Sequence, residues 1–359
     1  MVLISGLPDE VVYDCLIRVK YDQFPTITSV SKNWKSEVEL PEFHRLRKNG
    51  GYGQKLIVML QARVAPNQGA APGAFKCLQN PLYRFTVCEP DSGDWREFPP
   101  ISVFPGGSLP MFCQFAAVGT DLVVLGGLDP VTWGSSNSVF VYNFMTATWR
   151  RGAYMPGGSR IFFGCASDSN RMVFIAGGHN DEKIALKSAI AYDVAKDEWI
   201  MLPDMEKERD ECKTVFQHGK LHVIGGYCTE MQGRFERSAE TFDTSTWQWN
   251  CVQEEFLQSN VCPRTCVIGS DGLVYMCRDG NQVIKQTFGK WQTVAELPTE
   301  VRNPASLAAW HGKLLVIGSA AFGEPHMAYI FSLENNTWSK IETPEKYSGH
   351  VQSSCYLEI

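Results

Sequence analysis

Histidine, cysteine and arginine are the side chains that could move a proton, hold a metal or grip an anion, so their spacing decides which chemistry is open. The seven histidines stand at His44, His179, His218, His222, His311, His326 and His350, and only His218 and His222 are near neighbours in the chain. On a strand, a four-residue step leaves two side chains on one face but roughly 13 Å apart, too far to share a metal. Of twelve cysteines, Cys15, Cys88, Cys113, Cys165, Cys212 and Cys355 sit inside apolar runs, as buried reduced thiols do. Cys262-Pro-Arg-Thr-Cys266 comes nearest to a metal spacing, and no second pair accompanies it. Neither a Gly-x-Ser-x-Gly elbow nor a phosphate-cradling loop is evident. The expectation is no catalytic residue, no metal and no cofactor.

Recognition chemistry is left, and recognition needs a frame. Three segments share an apolar run ended by a glycine pair: Leu122-Val-Val-Leu-Gly126-Gly127, Val173-Phe-Ile-Ala-Gly177-Gly178 and Leu221-His-Val-Ile-Gly225-Gly226, with first glycines 51 and 48 residues apart. After each come an aromatic and, seven residues on, a tryptophan: Tyr142 and Trp149, Tyr192 and Trp199, Phe242 and Trp249. Weaker copies carry the series to Trp95, Trp291 and Trp338, six units in all. Within each unit short apolar and β-branched runs alternate with Gly, Asp and Asn clusters, which reads as four short strands. A period of about 45 to 50 residues with four strands predicts a mainly β fold, a six-bladed propeller of the kelch type. The first unit lacks an innermost strand, so residues 351–357 are expected to pair into it and close the ring. The stretch 61–81, with Ala65-Pro-Asn-Gln-Gly-Ala-Ala-Pro-Gly73, is expected to be a mobile loop.

Residues 1–48 have another rhythm. Pro8, Asp9 and Glu10 suit a helix start, and Val11, Val12, Cys15, Leu16 and Val19 recur at helical spacing. Phe24-Pro25 breaks that helix, after which Ile27, Val30, Trp34 and Val38 form one apolar stripe on a second. So short a unit has little core of its own, and part of its apolar surface is expected to belong to a partner.

Leu7-Pro8-Asp9-Glu10-Val11, Cys15-Leu16-Ile17-Arg18-Val19, Val30-Ser31-Lys32-Asn33-Trp34-Lys35 and Leu40-Pro41-Glu42-Phe43 together resemble an F-box over residues 7–46. With the repeats behind it, the chain resembles plant F-box/kelch proteins from end to end, a head at 1–48 and a propeller at 49–359. Leu128-Asp-Pro-Val-Thr-Trp133 and Gly349-His-Val-Gln352 look like the subfamily that includes the receptors for phenylalanine ammonia-lyase and for type-B response regulators. The resemblance implies a non-catalytic substrate receptor of an SCF-type ubiquitin ligase. Leu7, Pro8, Val11, Leu16, Val30 and Trp34 would bind a Skp-type adaptor and through it a cullin. The propeller would hold a protein destined for degradation, with the segment 44–55 setting the reach between the two.

In a four-stranded blade, the loops joining strand two to three and strand four to the next blade emerge on one face. Here those loops are long and varied, and binding is expected on them. They carry Trp133 and His179, and Arg160, Arg209, Arg264 and Arg302 each precede an innermost strand, which would ring the central mouth with guanidinium groups suited to acidic or phosphorylated segments. The alternative is that these arginines are solvated or pair with Glu208, Asp210, Glu211 and Glu300 nearby. With 33 basic against 39 acidic residues, net −6, the chain lacks the footprint of a nucleic-acid or anionic-membrane binder. No leader or long apolar run is seen, and a cytoplasmic or nuclear location is expected. A kelch scaffold without a ligase link and, further off, a propeller enzyme are the rival functions.

Overall fold

The seven-residue step from aromatic to tryptophan is a β-hairpin. Tyr142 lies opposite Trp149, Tyr192 opposite Trp199, Phe242 opposite Trp249 and Phe331 opposite Trp338 across antiparallel pairs. Two residues before each of the six blade tryptophans the backbone turns through the left-handed region, from Gly93 at φ 76° to Asn336 at φ 53°. The turn brings aromatic and indole rings to 4.8–5.2 Å. Each indole Nε1 then donates to a carbonyl of the preceding blade: Trp149 to Pro99 at 2.8 Å, Trp199 to Ala153 at 2.9 Å, Trp249 to Pro203 at 2.7 Å. Trp291 bonds Phe256, Trp338 bonds Glu296, and Trp95 reaches back to Glu342, so the row of rivets runs right round the ring.

The structure is a computed structural model that describes residues 4, 6–63, 82–104, 107–278, 281–287 and 289–359. Of the stretch 61–81 expected to be a mobile loop, residues 64–81 lie outside them, whereas Gln61 and Ala62 are buried in the strand Lys55–Ala62. Six four-stranded antiparallel sheets form the blades, and the first is completed by the last strand of the chain. Val351–Glu358 pairs with Lys55–Ala62 from Lys55 opposite Glu358 to Gln61 opposite Val351, as expected for ring closure. At each glycine pair both residues are left-handed, Gly177 at φ 66° and Gly178 at φ 80°. A Cβ on Gly177 would lie 2.2 Å from the Arg209 carbonyl oxygen, where the loop entering the next blade crosses. Apolar clusters fill the spaces between successive blades.

The head contains four short helices, α1 (Asp9–Leu16), α2 (Phe24–Val30), α3 (Lys32–Val38) and α4 (Pro41–Asn49). The second helix expected from one continuous stripe is thus two. Ser31 is extended at φ −153°, ψ 154°, and its Oγ caps α3 by accepting the Trp34 N–H at 3.1 Å. The break turns Ile27 and Val38 inward and Val30 outward. α4 brings Phe43 and Arg47 into the interior.

The segment 44–55 is no free tether. Buried Arg47 donates to the carbonyls of Ile17, Val19 and Tyr52 and, at 3.4 Å, to that of the terminal Ile359. Gln54 and Ile359 exchange backbone hydrogen bonds at 2.7 and 3.0 Å, and the Tyr21 N–H bonds Gln54 Oε1 at 2.6 Å. Arg96 pairs with Asp22, and Tyr21 packs edge-on against Phe144 at 5.9 Å. Val12, Phe24 and Phe43 of the head share one apolar cluster with Leu56, Phe144, Leu357 and Ile359 of the ring. The head is therefore fixed at the short-turn end of blades one and two, leaving the long-loop face opposite.

Candidate functional site

Two surfaces have recognition chemistry. On the head, the inward positions are already filled by Val12, Leu16, Phe24, Val38 and Phe43. Yet large apolar side chains remain outside: Leu7 is 46% exposed, Val11 46%, Val30 61% and Leu40 44%. Pro8 and Cys15 are exposed beside them. Trp34 is half-buried against the cluster, with part of its indole at the surface. Leu16 departs from expectation: at 4% exposed it belongs to the head's own core and faces no partner, because α1 is anchored by Val12 and Leu16 on one side. Among the expected adaptor contacts, Leu7, Pro8, Val11 and Val30 lie open and Trp34 is half-buried.

The second surface is the long-loop face. In blade two, Asp129 Oδ1 accepts the N–H groups of Val131 and Thr132 at 2.9 and 2.8 Å. That fold holds Trp133 half exposed in the left-handed region at φ 57°. Blade three repeats the device: Asn180 Oδ1 accepts from Glu182 at 3.1 Å and Ile184 at 2.9 Å, with Lys183 left-handed at φ 60°. Hydroxyls stitch neighbouring loops together. Ser135 and Ser159 both donate to the Asp181 carboxylate, holding it below the usual carboxylate range. Thr229 Oγ1 accepts the Ala185 N–H at 2.9 Å and donates to Glu208 at 3.4 Å. Deeper in, His179 Nδ1 lies 2.8 Å from Asp210 Oδ2 with Phe162 against its ring. Tyr227 donates to Glu211 at 2.8 Å, and burial together with that acceptor raises the phenol's pKa. Phe112, Phe162 and Glu211 occupy equivalent positions just before three innermost strands, all left-handed at φ 51–57°. Such conformations cost non-glycine residues free energy and cluster where side chains are presented.

The expected arginine ring does not form. Arg160 is 5% exposed and donates to the carbonyls of Gly177 and Ser188 at 3.0 and 2.9 Å, and burial pushes its pKa down to about 10. Arg209, 1% exposed, repeats the clamp on Gly225 at 2.7 Å and Ser238, and its Nε pairs with equally buried Glu240 at 3.0 Å. Both cations are spent on holding their blades, while Arg264 and Arg302 stay exposed. A signal for the difference was available. Of the four blades entered by these arginines, those of Arg160 and Arg209 keep both the glycine pair and a serine before strand three, Ser188 and Ser238, which are the clamp's acceptors; blade two keeps Gly126, Gly127 and Ser138 but has no arginine in that place. His179, also expected to face a substrate, is mostly committed to Asp210, whereas Trp133 is open. Among the described residues no three His, Cys, Asp or Glu side chains come together as a metal site, and no helix is long and apolar enough to cross a membrane.

A family model described as the Kelch motif matches residues 112–156 and 164–206. The Arabidopsis thaliana F-box/kelch-repeat proteins At1g15670 and At1g80440 are 50% and 49% identical to this chain over the full length of both partners. The F-box/kelch-repeat protein SKIP20 of the same plant is 32% identical, covering 97% of this chain and 94% of its own. The solved structure of YjhT superimposes with a TM-score of 0.57 over 72% of this chain and 90% of that one, at 14% identity, a likeness of fold alone. With its helical head, its six riveted blades and relatives of this identity along its whole length, the chain belongs to the F-box/kelch-repeat proteins.

Proposed function

We propose that this chain is the substrate-receptor subunit of an SCF-type ubiquitin ligase, acting in the cytoplasm or nucleus. One observation carries the reading: the head keeps Leu7, Val11, Val30 and Leu40 outside although its own core is filled. Large apolar side chains left exposed on a small domain suit a permanent partner, here a Skp-type adaptor that links to a cullin. The propeller then holds a client on the opposite face. The work is done by proximity: a bound client sits at high effective concentration near the charged ubiquitin carrier, and a fixed head turns that proximity into a set geometry.

Phenylalanine ammonia-lyase, and with it control of phenylpropanoid metabolism, and type-B response regulators of cytokinin signalling are the clients to assay first, on the strength of the resemblance at residues 128–133 and 349–352. The test is reconstitution of the chain with adaptor, cullin module and ubiquitin-charging enzymes, with each client added in turn. Conjugation to at least one that requires this chain supports the reading. A kelch scaffold without ligase function would give no adaptor complex and no conjugation.

A further inference from the structure

Deepening the receptor reading, on which it rests, we propose that the sector of the long-loop face built by blades two to four captures a basic, apolar segment of the client, in which lysine or arginine alternates with large hydrophobic side chains. A crown of loop tips supplies the apolar contacts. Val131 is 66% exposed, Trp133 50%, Ile184 47% and Met231 44%, each on a loop joining strand two to strand three. The Asp181 and Thr229 hydrogen bonds tie these loops into one surface, so the tips are held before any partner arrives and little ordering cost is left for binding. Contiguous exposed hydrophobic groups on a preorganised frame are what a protein-docking patch requires.

Charge selects the occupant. Glu182 and Glu230 on the tip loops, and Glu206 on the loop entering blade four, are exposed, with no ion pair or side-chain hydrogen bond among the described residues. Among the described residues, the Glu211 side chain is engaged by the Tyr227 hydroxyl alone. Most cations of the sector are already committed: Lys187 to Asp204, Lys207 to Glu236 and Glu254, Arg237 to Glu255 and Arg209 to Glu240. Arg151, Lys183 and Arg234, with Arg264 on the loop entering the next blade, are the exposed exceptions and stand on separate segments. An acidic or phosphorylated segment would meet repulsion here, while a basic one would be steered in and registered by the carboxylates.

The test uses the full chain in complex with its Skp-type adaptor and a fluorescent peptide alternating arginine and leucine. Comparison peptides carry glutamate for arginine or serine for leucine. The arginine–leucine peptide should bind about tenfold tighter than either comparison and weaken with added salt. Combining Trp133→Ala with Ile184→Ala should cut its affinity about fivefold or more, and Glu182→Gln with Glu206→Gln and Glu230→Gln should flatten the salt dependence. Equal or tighter binding of the glutamate peptide would overturn the proposal. So would an unchanged affinity in the Trp133/Ile184 variant, which would mean electrostatic adhesion only. Adaptor co-elution from the same samples separates the two readings. Its loss with peptide binding intact defeats the ligase assignment alone, and peptide failure with the adaptor retained defeats this inference alone.

Discussion

Arg209 and Arg302 precede innermost strands in the same way, yet one is a buried clamp and the other a surface group. Truncating Arg209 to alanine strands the Glu240 carboxylate in the interior and frees two carbonyls, a loss of roughly 3 kcal/mol. Arg302→Ala should stay within about 0.5 kcal/mol, and paired denaturation curves would reveal the contrast. On the head, Leu16→Ala should cost roughly 3 kcal/mol through a core cavity, whereas Val11→Ala should leave the melt unchanged. Site legibility is partial at this scale: the glycine pair and serine of a clamping blade stand in the sequence, but their meeting with the arginine does not. Residue type and position show where an arginine lies along the chain, but its acceptors, Gly225 and Ser238, come from strands that only folding brings near.

Buried His326 and half-buried His44 give a pH dependence with a definite sign. His326 Nδ1 accepts the Val351 N–H at 3.2 Å, so its proton sits on Nε2, which faces His350 Nδ1 at 3.1 Å. Burial and then the neighbouring His350 bring the His326 pKa down to about 4, and Arg264 adds to the lowering at His350. His44, half-buried near Arg47, is also lowered by desolvation and then by that cation, to about 4. The unfolded chain protonates near 6.5, so the native state holds this stability in full above pH 6.5 and loses it as pH drops towards 4. About 2 kcal/mol should disappear between pH 7 and 4.5 in denaturant titrations, with a shallower slope in His326→Gln. A flat profile for the parent protein would contradict the assignment of neutral pairs.

At the scale of elements the ring was legible because each blade repeats one hairpin and one rivet, and repetition survives loss of individual glycines, as in the blade of Trp291. Gly177→Ala should test the close approach behind the pattern. It places a Cβ against the Arg209 carbonyl in a left-handed residue and should cost about 2 kcal/mol or more in thermal melts. Deleting residues 350–359 removes the strand that completes blade one and exposes Lys55–Ala62 as an edge. Loss of the cooperative melt, with aggregation, is expected, and an unchanged melt would refute closure by that strand. The head's helices were less legible. Apolar spacing runs on through Ser31, and only the serine's capping preference marks the break between α2 and α3.

Across the whole molecule, the head and ring act as one body because Arg47, Gln54 and the terminal Ile359 lock together over a shared apolar cluster. A tether read from the sequence becomes a joint, since contacts between residue 47 and residue 359 have no local signature. Under the proposed function, labour divides between two ends of this body: Leu7, Val11 and Val30 at one end for the adaptor, the long-loop face at the other for the client. The most direct measurement is size-exclusion co-elution of a Skp-type adaptor with the intact chain and with a Leu7→Asp/Val11→Asp variant, alongside melts of both. The account predicts a stable complex for the parent, its loss in the variant and matching melts. A parent chain that elutes alone, or a variant that keeps the adaptor, would contradict it.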